Sequence, residues 1–168
     1  PEGEARVSMQ VIADHARACA FTVADGAVPS NEGRGYVVRR ILRRAARHGR
    51  RLGLTEPFLW RIAELVSETM GDAYPELCEG RQRILQTIRR EEERFNLTLD
   101  RGLAVYEEMR ARLRHENRAV LSGDEAFLLH DTYGFPVDLT AVVAAEDGLG
   151  VDQAAFAARM AQQRESSG

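Results

Sequence analysis

The sequence predicts an all-α fold, a helical bundle with one long helix and a short C-terminal helical lobe. Apolar residues recur at three- and four-residue spacing along most of the 168 residues, which is the pattern of a helix with one buried face. No segment shows the alternation of apolar and polar residues that is typical of a half-buried strand. We expect one helical domain over residues 1–168, with a main part at about 1–118 and the lobe at about 119–168.

The first half of the chain predicts three helices and one loop. A first helix covers residues 4–24 and ends at the Asp25-Gly26 pair. Residues 25–35 contain three Gly, one Pro, one Ser and one Asn, so they are predicted to form a loop. A second helix is expected to begin at Tyr36, and a third to follow Pro57, which is tolerated in a first helical turn.

The second half predicts the longest helix and three shorter ones. Residues 75–118 keep helical spacing without an internal Pro after the first position, so one helix of about 60 Å is expected. Gly102 is predicted to relieve crowding where another helix crosses. Residues 122–125 read as a capping box that begins a short helix. Pro136 and Asp152 are predicted to precede the last two helices.

The second helix carries an unusual concentration of positive charge. All 23 basic residues are Arg, and eight of them lie between Arg34 and Arg51. No Asp or Glu occurs between Gly33 and Thr55, whereas the rest of the chain has 26 acidic residues against 15 Arg. On a helical wheel these arginines lie opposite the apolar half. A solvated face is the plain interpretation, and phosphate binding is the functional one, because guanidinium groups bind phosphate oxygens bidentately.

Several classes of protein and site are disfavoured. No run of about 18 apolar residues is present, which excludes a membrane-spanning helix, and the first residues lack the basic and apolar regions of a secretory signal. Cys19 and Cys78 are expected to be buried or idle thiols, because no His lies at metal-ligand spacing from them. Neighbouring helical positions point in different directions, so Glu91, Glu92 and Glu93 are predicted to be solvated or paired with Arg rather than to form an acid/base cluster.

Four strings closely resemble the alanyl-tRNA synthetase family, in the helical tRNA-recognition region that follows the class II catalytic core. They occur in the family's order and span most of the chain. The strings are VIADHARACAF (11–21), ADGAVPSNEGRGYVVRRILRRAARHG (24–49), EEERFNLTLDRGL (91–103) and DTYGFPVDLT (131–140). The chain departs from the family's usual residues at Gln10 and His130, both outside these strings.

The resemblance implies that Asn31 and Asp131 read the G·U wobble pair of the tRNA acceptor stem. The minor groove of RNA is wide and shallow, so side chains reach base edges there. Guanine presents a 2-amino donor in that groove, from which the carboxylate of Asp131 can accept. The amide of Asn31 can both accept from this amine and donate to a uracil oxygen. The residue types alone leave open a role in stabilising turns.

The same resemblance makes the arginines a positioning surface for the RNA backbone, because phosphate contacts fix the register while base contacts specify the sequence. The residues leave open that some of these arginines pair with the acidic long helix instead. The predicted phosphate contacts are Arg34, Arg40, Arg43, Arg44, Arg47 and Arg51.

The resemblance further implies that the chain is part of a larger alanine–tRNA ligase. No catalytic residue, metal ligand or cofactor is expected here, whereas the parent enzyme uses ATP with Mg and holds Zn in its editing region. The expected partners are the tRNA(Ala) acceptor stem and the remaining domains of the synthetase, in the cytoplasm and away from membranes. Two alternatives remain: a non-specific helical nucleic-acid-binding module, and a structural helical adaptor that docks on an acidic protein surface.

Overall fold

The computed structural model describes residues 2–168 and confirms the predicted all-α class. Two strands of two residues each pair in parallel, which the sequence did not predict because two residues are too short to show alternation. The described elements are α1 (Glu2–Ala24), α2 (Gly33–Arg51), α3 (Leu59–Met70), α4 (Glu76–Glu79), α5 (Arg81–His115), β1 (Val120–Leu121), α6 (Gly123–Tyr133), α7 (Val137–Glu146), β2 (Gly150–Val151) and α8 (Gln153–Ser167).

The chain divides into two compact units between Leu97 and Thr98. This division lies within α5, so the long helix supplies residues to both units. The boundary that the sequence predicts at about residue 118 lies just after the end of α5 and stays a prediction. Helical periodicity runs through residue 97 without interruption, so the sequence has no local signal for a boundary there.

In the first unit, α1 packs against α2 and α3 through small side chains. Ala16 and Ala20 of α1, Ala45 of α2 and Ala63 of α3 are all buried, and small residues let helices approach closely. Helix α2 begins at Gly33, three residues before the predicted start at Tyr36.

The predicted single helix from residue 75 is interrupted, and that prediction was wrong in this detail. Helix α4 ends at Gly80 before α5 begins. Leu77, within α4, is fully buried. At the start of α5, Arg83 donates hydrogen bonds to Val23 O (2.7 Å) and Ala24 O (3.2 Å), where a cation at a helix C-terminus is favourable.

The second unit is built on α6, α7 and α8 together with the end of α5. Ala126, Phe127 and Phe156 form a hydrophobic cluster. The predicted capping box is confirmed: Glu125 N donates to Ser122 Oγ (3.1 Å), and Ser122 N donates to Glu125 Oε1 (2.9 Å). Among the described helices, none combines the length and the hydropathy needed to cross a lipid bilayer.

Candidate nucleic-acid interface

The loop before α2 is folded tightly against the start of that helix. Arg34 donates to Asp25 O (3.0 Å) and Asp25 Oδ2 (2.8 Å), which joins the two ends of the loop. A Cβ atom at position 35 would lie 2.1 Å from Val28 O and 2.2 Å from Ser30 Oγ. Only glycine therefore permits this approach, and the loop presents Asn31 as an exposed side chain.

Asn31 is held by an arginine of α2. Arg39 donates from Nη1 to Asn31 Oδ1 (2.7 Å) and from Nε to Glu91 Oε1 (2.8 Å). Its Nη2 also lies 3.5 Å from Pro29 O. The exposed amide is thus connected, through one guanidinium group, to a carboxylate of α5 that is 6% exposed.

Glu91 is the centre of a buried ion cluster that links α2 to α5. Besides Arg39, Arg43 donates to the same oxygen from Nε (3.0 Å) and Nη2 (2.9 Å), and its guanidinium lies 5.0 Å from the ring centroid of Phe95. Burial raises the pKa of Glu91, but the hydrogen bonds and charges of Arg39 and Arg43 outweigh it and hold that pKa below its usual value. Burial lowers the pKa of Arg43, and Glu91 opposes this shift.

The three consecutive glutamates of α5 have three different environments. Glu91 and Glu93 pair with arginines, as predicted, the latter with Arg89 at 3.0 Å on the surface. Glu92 is only 1% exposed, and its hydrogen bonds come from the backbone rather than from Arg. It accepts from the N–H groups of Phe58 (3.0 Å) and Leu59 (2.9 Å). It therefore caps the N-terminus of α3 from a distant helix, and that prediction was wrong for Glu92.

Burial raises the pKa of Glu92 to about 7, although the two backbone N–H groups and Arg50 act in the opposite direction. The pKa values of these two neighbouring carboxyl groups therefore shift in opposite directions, because Glu91 accepts hydrogen bonds from two guanidinium groups whereas Glu92 accepts them from backbone N–H groups.

The predicted phosphate-binding arginines differ strongly in exposure. Arg43 and Arg47 are only 5% and 6% exposed, which argues against direct contact with phosphate. They were predicted on the solvent side because a helical wheel does not show which distant residues cover a face. Arg43, for example, is covered by Glu91 and Phe95 of α5. The other four predicted arginines keep accessible surface: Arg34 and Arg51 are exposed, and Arg40 and Arg44 are partly buried. Their phosphate contacts stay predictions.

Asp131 lies in the last turn of α6. The helix ends at Gly134, whose φ of 72° is left-handed, and Phe135 N donates to Leu129 O (2.9 Å), as in a glycine-terminated helix. Asp131 is exposed, and Gln163 Nε2 donates to its Oδ1 (3.1 Å). A carboxylate is electrostatically unfavourable at a helix C-terminus, so stability does not explain its presence there.

The turn after Asp131 is packed rigidly on α5. Thr98 Oγ1 donates to Tyr133 O (2.7 Å), and Phe135 is fully buried. A Cβ at position 102 would lie 2.4 Å from Phe135 Cε1. The crowding predicted at Gly102 is present, but it comes from this turn rather than from a crossing helix.

The predicted base-reading residues, Asn31 and Asp131, lie in different compact units. Sequence reasoning missed the side chains that hold them. Gln163 carried no signal in the sequence, and Arg39 was not among the predicted phosphate contacts. Within residues 2–168, no three His, Cys, Asp or Glu side chains form a group that could hold a metal ion.

Comparison with known proteins identifies relatives over nearly the whole chain. The family model described as tRNA synthetases class II (A) matches residues 1–168. The alanine–tRNA ligase of Methylococcus capsulatus is 55% identical over 161 residues, which cover 96% of this chain and 18% of that protein. Those of Chlorobium phaeobacteroides and Pelotomaculum thermopropionicum are each 51% identical, over 94% and 98% of this chain. The chain spans about a fifth of the length of these relatives.

Proposed function

Because this chain belongs to the family of class II (A) tRNA synthetases, we propose that it is the tRNA-recognition part of an alanine–tRNA ligase. It binds the acceptor stem of tRNA(Ala), reads the G·U wobble pair and positions the stem for alanylation. The ATP and Mg that activate alanine, and the Zn of the editing region, belong to other parts of the ligase. The whole enzyme acts in the cytoplasm, with those remaining domains as the chain's protein partners.

One observation carries the proposal: Asn31 and Asp131 are both exposed, and each is held by a single long side chain. An exposed side chain that is already oriented loses little conformational entropy when it binds. The carboxylate of Asp131 is an acceptor that suits the 2-amino group of guanine, and the amide of Asn31 supplies a donor. The two residue types thus supply both hydrogen-bond polarities, one from each unit.

The accessible arginines supply the sequence-independent part of the binding. Arg34 and Arg51 are exposed residues, and Arg40 and Arg44 are partly buried ones. Each phosphate that such a group neutralises releases condensed cations from the RNA, so affinity falls as salt concentration rises. Arg43 and Arg47 are buried, so they contribute positive charge beneath this surface but do not contact phosphate themselves.

The test is binding of the chain to two acceptor-stem hairpins that differ only in G·U against G·C, across a salt series. We expect tighter binding to the G·U hairpin and a negative salt slope for both. Asn31→Ala and Asp131→Asn should each lose about 1–3 kcal/mol for the G·U hairpin and little for the other. Asp124→Asn, at the exposed opposite end of α6, is the matched control and should bind like the wild type.

Two results would contradict the proposal. Equal binding of the wild type to both hairpins, with a steep salt slope, would leave a non-specific nucleic-acid-binding module. Absence of binding at low salt would exclude an RNA-binding role and favour a structural adaptor.

A further inference from the structure

Arg39 connects the exposed Asn31 to the buried Glu91. We propose that Arg39 is a positioning residue for base recognition: it holds the Asn31 side chain with Oδ1 turned inward and Nδ2 presented outward as a donor. This inference rests on the proposed function, because it gives Arg39 a role through Asn31.

The chemistry of the contact sets the orientation of the amide. A guanidinium group has only donors, so its Nη1, at 2.7 Å, can engage only the oxygen of Asn31. The alternative amide orientation would place two donors against each other. An exposed asparagine without such a partner would populate both orientations, and only one of them would present a donor to the RNA.

Arg39 can impose this orientation because its own position is fixed by the buried Glu91. Its Nε donates to Glu91 Oε1 (2.8 Å), and Arg43 donates to the same oxygen. The Arg39 side chain is 12% exposed and that of Glu91 is 6% exposed. Since a guanidinium is planar, the bond to Glu91 on one edge fixes where the other edge lies. The buried ion cluster therefore determines, through Arg39, where the exposed amide of Asn31 lies.

The orientation narrows what Asn31 does at a base pair. With one lone pair of Oδ1 directed to Arg39, the amide offers its Nδ2 hydrogens outward. The matching groups in the minor groove are acceptors, such as the O2 of a pyrimidine. Asp131, whose carboxylate has only acceptors, is the complementary partner for the 2-amino group of guanine. Asn31 thus donates and Asp131 accepts.

The test compares the ratio of affinities for the G·U and G·C hairpins in four variants. Asn31→Ala should reduce this ratio by about fivefold or more, and Arg39→Gln should reduce it to a similar extent. The double variant should lose no more than Asn31→Ala alone, because Arg39 acts through Asn31 and the two effects are not additive. Arg40→Gln is the matched control: it removes the same charge one position along α2, so both hairpins should weaken equally and the ratio should stay unchanged.

The outcomes separate this inference from the function on which it rests. An Asn31→Ala variant with the wild-type ratio would show that Asn31 does not read the pair, and the proposed function would fail. An Arg39→Gln variant that keeps the ratio while Asn31→Ala loses it would overturn only the positioning role. Additive losses in the double variant would likewise show that Arg39 acts independently of Asn31.

Because Arg39→Gln could also disturb folding, a second measurement uses the wild-type chain, with its ion cluster intact and without RNA. In the wild-type chain, the side-chain amide resonances of Asn31 are assigned by their loss in Asn31→Ala. They should report more restricted rotation about the Cβ–Cγ bond than those of the exposed Asn117. Equal mobility of the two amides would overturn the proposal.

Discussion

Asn31 and Asp131 are both exposed side chains with a predicted role at one base pair, yet different forces place them. Asn31 sits on a loop, and Arg39 ties it to the carboxylate of Glu91 inside the first unit. Asp131 sits in the last turn of a helix whose end is set by the packing of Phe135 on Gly102 in the second unit. Electrostatic interactions position Asn31, whereas close packing positions Asp131.

Because the forces differ, different substitutions should destabilise the two sites. A buried ion cluster is sensitive to loss of a single charge, because the remaining charges stay away from water. A close-packed turn tolerates loss of charge but not an added methyl group, since neighbouring atoms leave no space. The two base-reading residues should therefore respond to different substitutions.

The largest expected effect is at the centre of the ion cluster. Glu91→Ala should reduce the free energy of unfolding by about 3–5 kcal/mol, because it removes the carboxylate that Arg39 and Arg43 share inside the protein. Glu93→Ala is the matched control, since its contact with Arg89 is on the surface and should cost less than about 0.5 kcal/mol. Urea unfolding followed by Trp60 fluorescence measures both. Equal losses would show that the cluster does not stabilise the first unit.

The neighbouring Glu92 should give the first unit an unusual pH dependence. Its pKa in the folded chain is about 7, above the usual 4.5, so the folded state holds a proton that the unfolded state has released. The stability that Glu92 contributes is fully present below about pH 4.5 and is lost as pH rises through 7. The opposite shift of Glu91 contributes stability that is lost as pH falls.

Urea unfolding of the wild type and of Glu92→Gln at several pH values between about 5 and 7 measures this effect. The difference in unfolding free energy between them should change by at most about 1.4 kcal/mol per pH unit, the contribution of one proton. A difference that is constant across this range would show that Glu92 does not take up a proton on folding.

Added volume in the second unit should have a smaller effect than loss of the Glu91 carboxylate. Gly102→Ala should destabilise by about 1–3 kcal/mol, because its Cβ would lie 2.4 Å from the ring of the fully buried Phe135. Gly3→Ala, also in a helix but with no atom within 4 Å of the added Cβ, should instead be neutral or slightly stabilising, since Ala favours helix. Thermal unfolding followed by circular dichroism compares them, and a stabilised Gly102→Ala variant would contradict the packing account.

Much of the fold follows from short-range patterns in the sequence. The helical class, the capping box at Ser122 and the helix that begins after Pro136 were predicted correctly, because each depends on residues within four positions of one another. The start of α2 and the break at Gly80 were missed. Helix ends are decided partly by distant contacts, such as the hydrogen bonds from Arg83 to the end of α1.

The sequence by itself determined which residue types are available for RNA binding: a loop with Asn31, the string DTYGFPVDLT with Asp131, and a helix rich in arginine. Only the tertiary structure decided which arginines are buried, that Arg39 holds Asn31, and that Glu92 caps a helix. The reason is the distance along the chain between partners. Arg39 and Glu91 are 52 positions apart, and Phe58 and Glu92 are 34 apart. Periodicity describes neighbours on one element, whereas the partner of a charged side chain depends on which elements pack together.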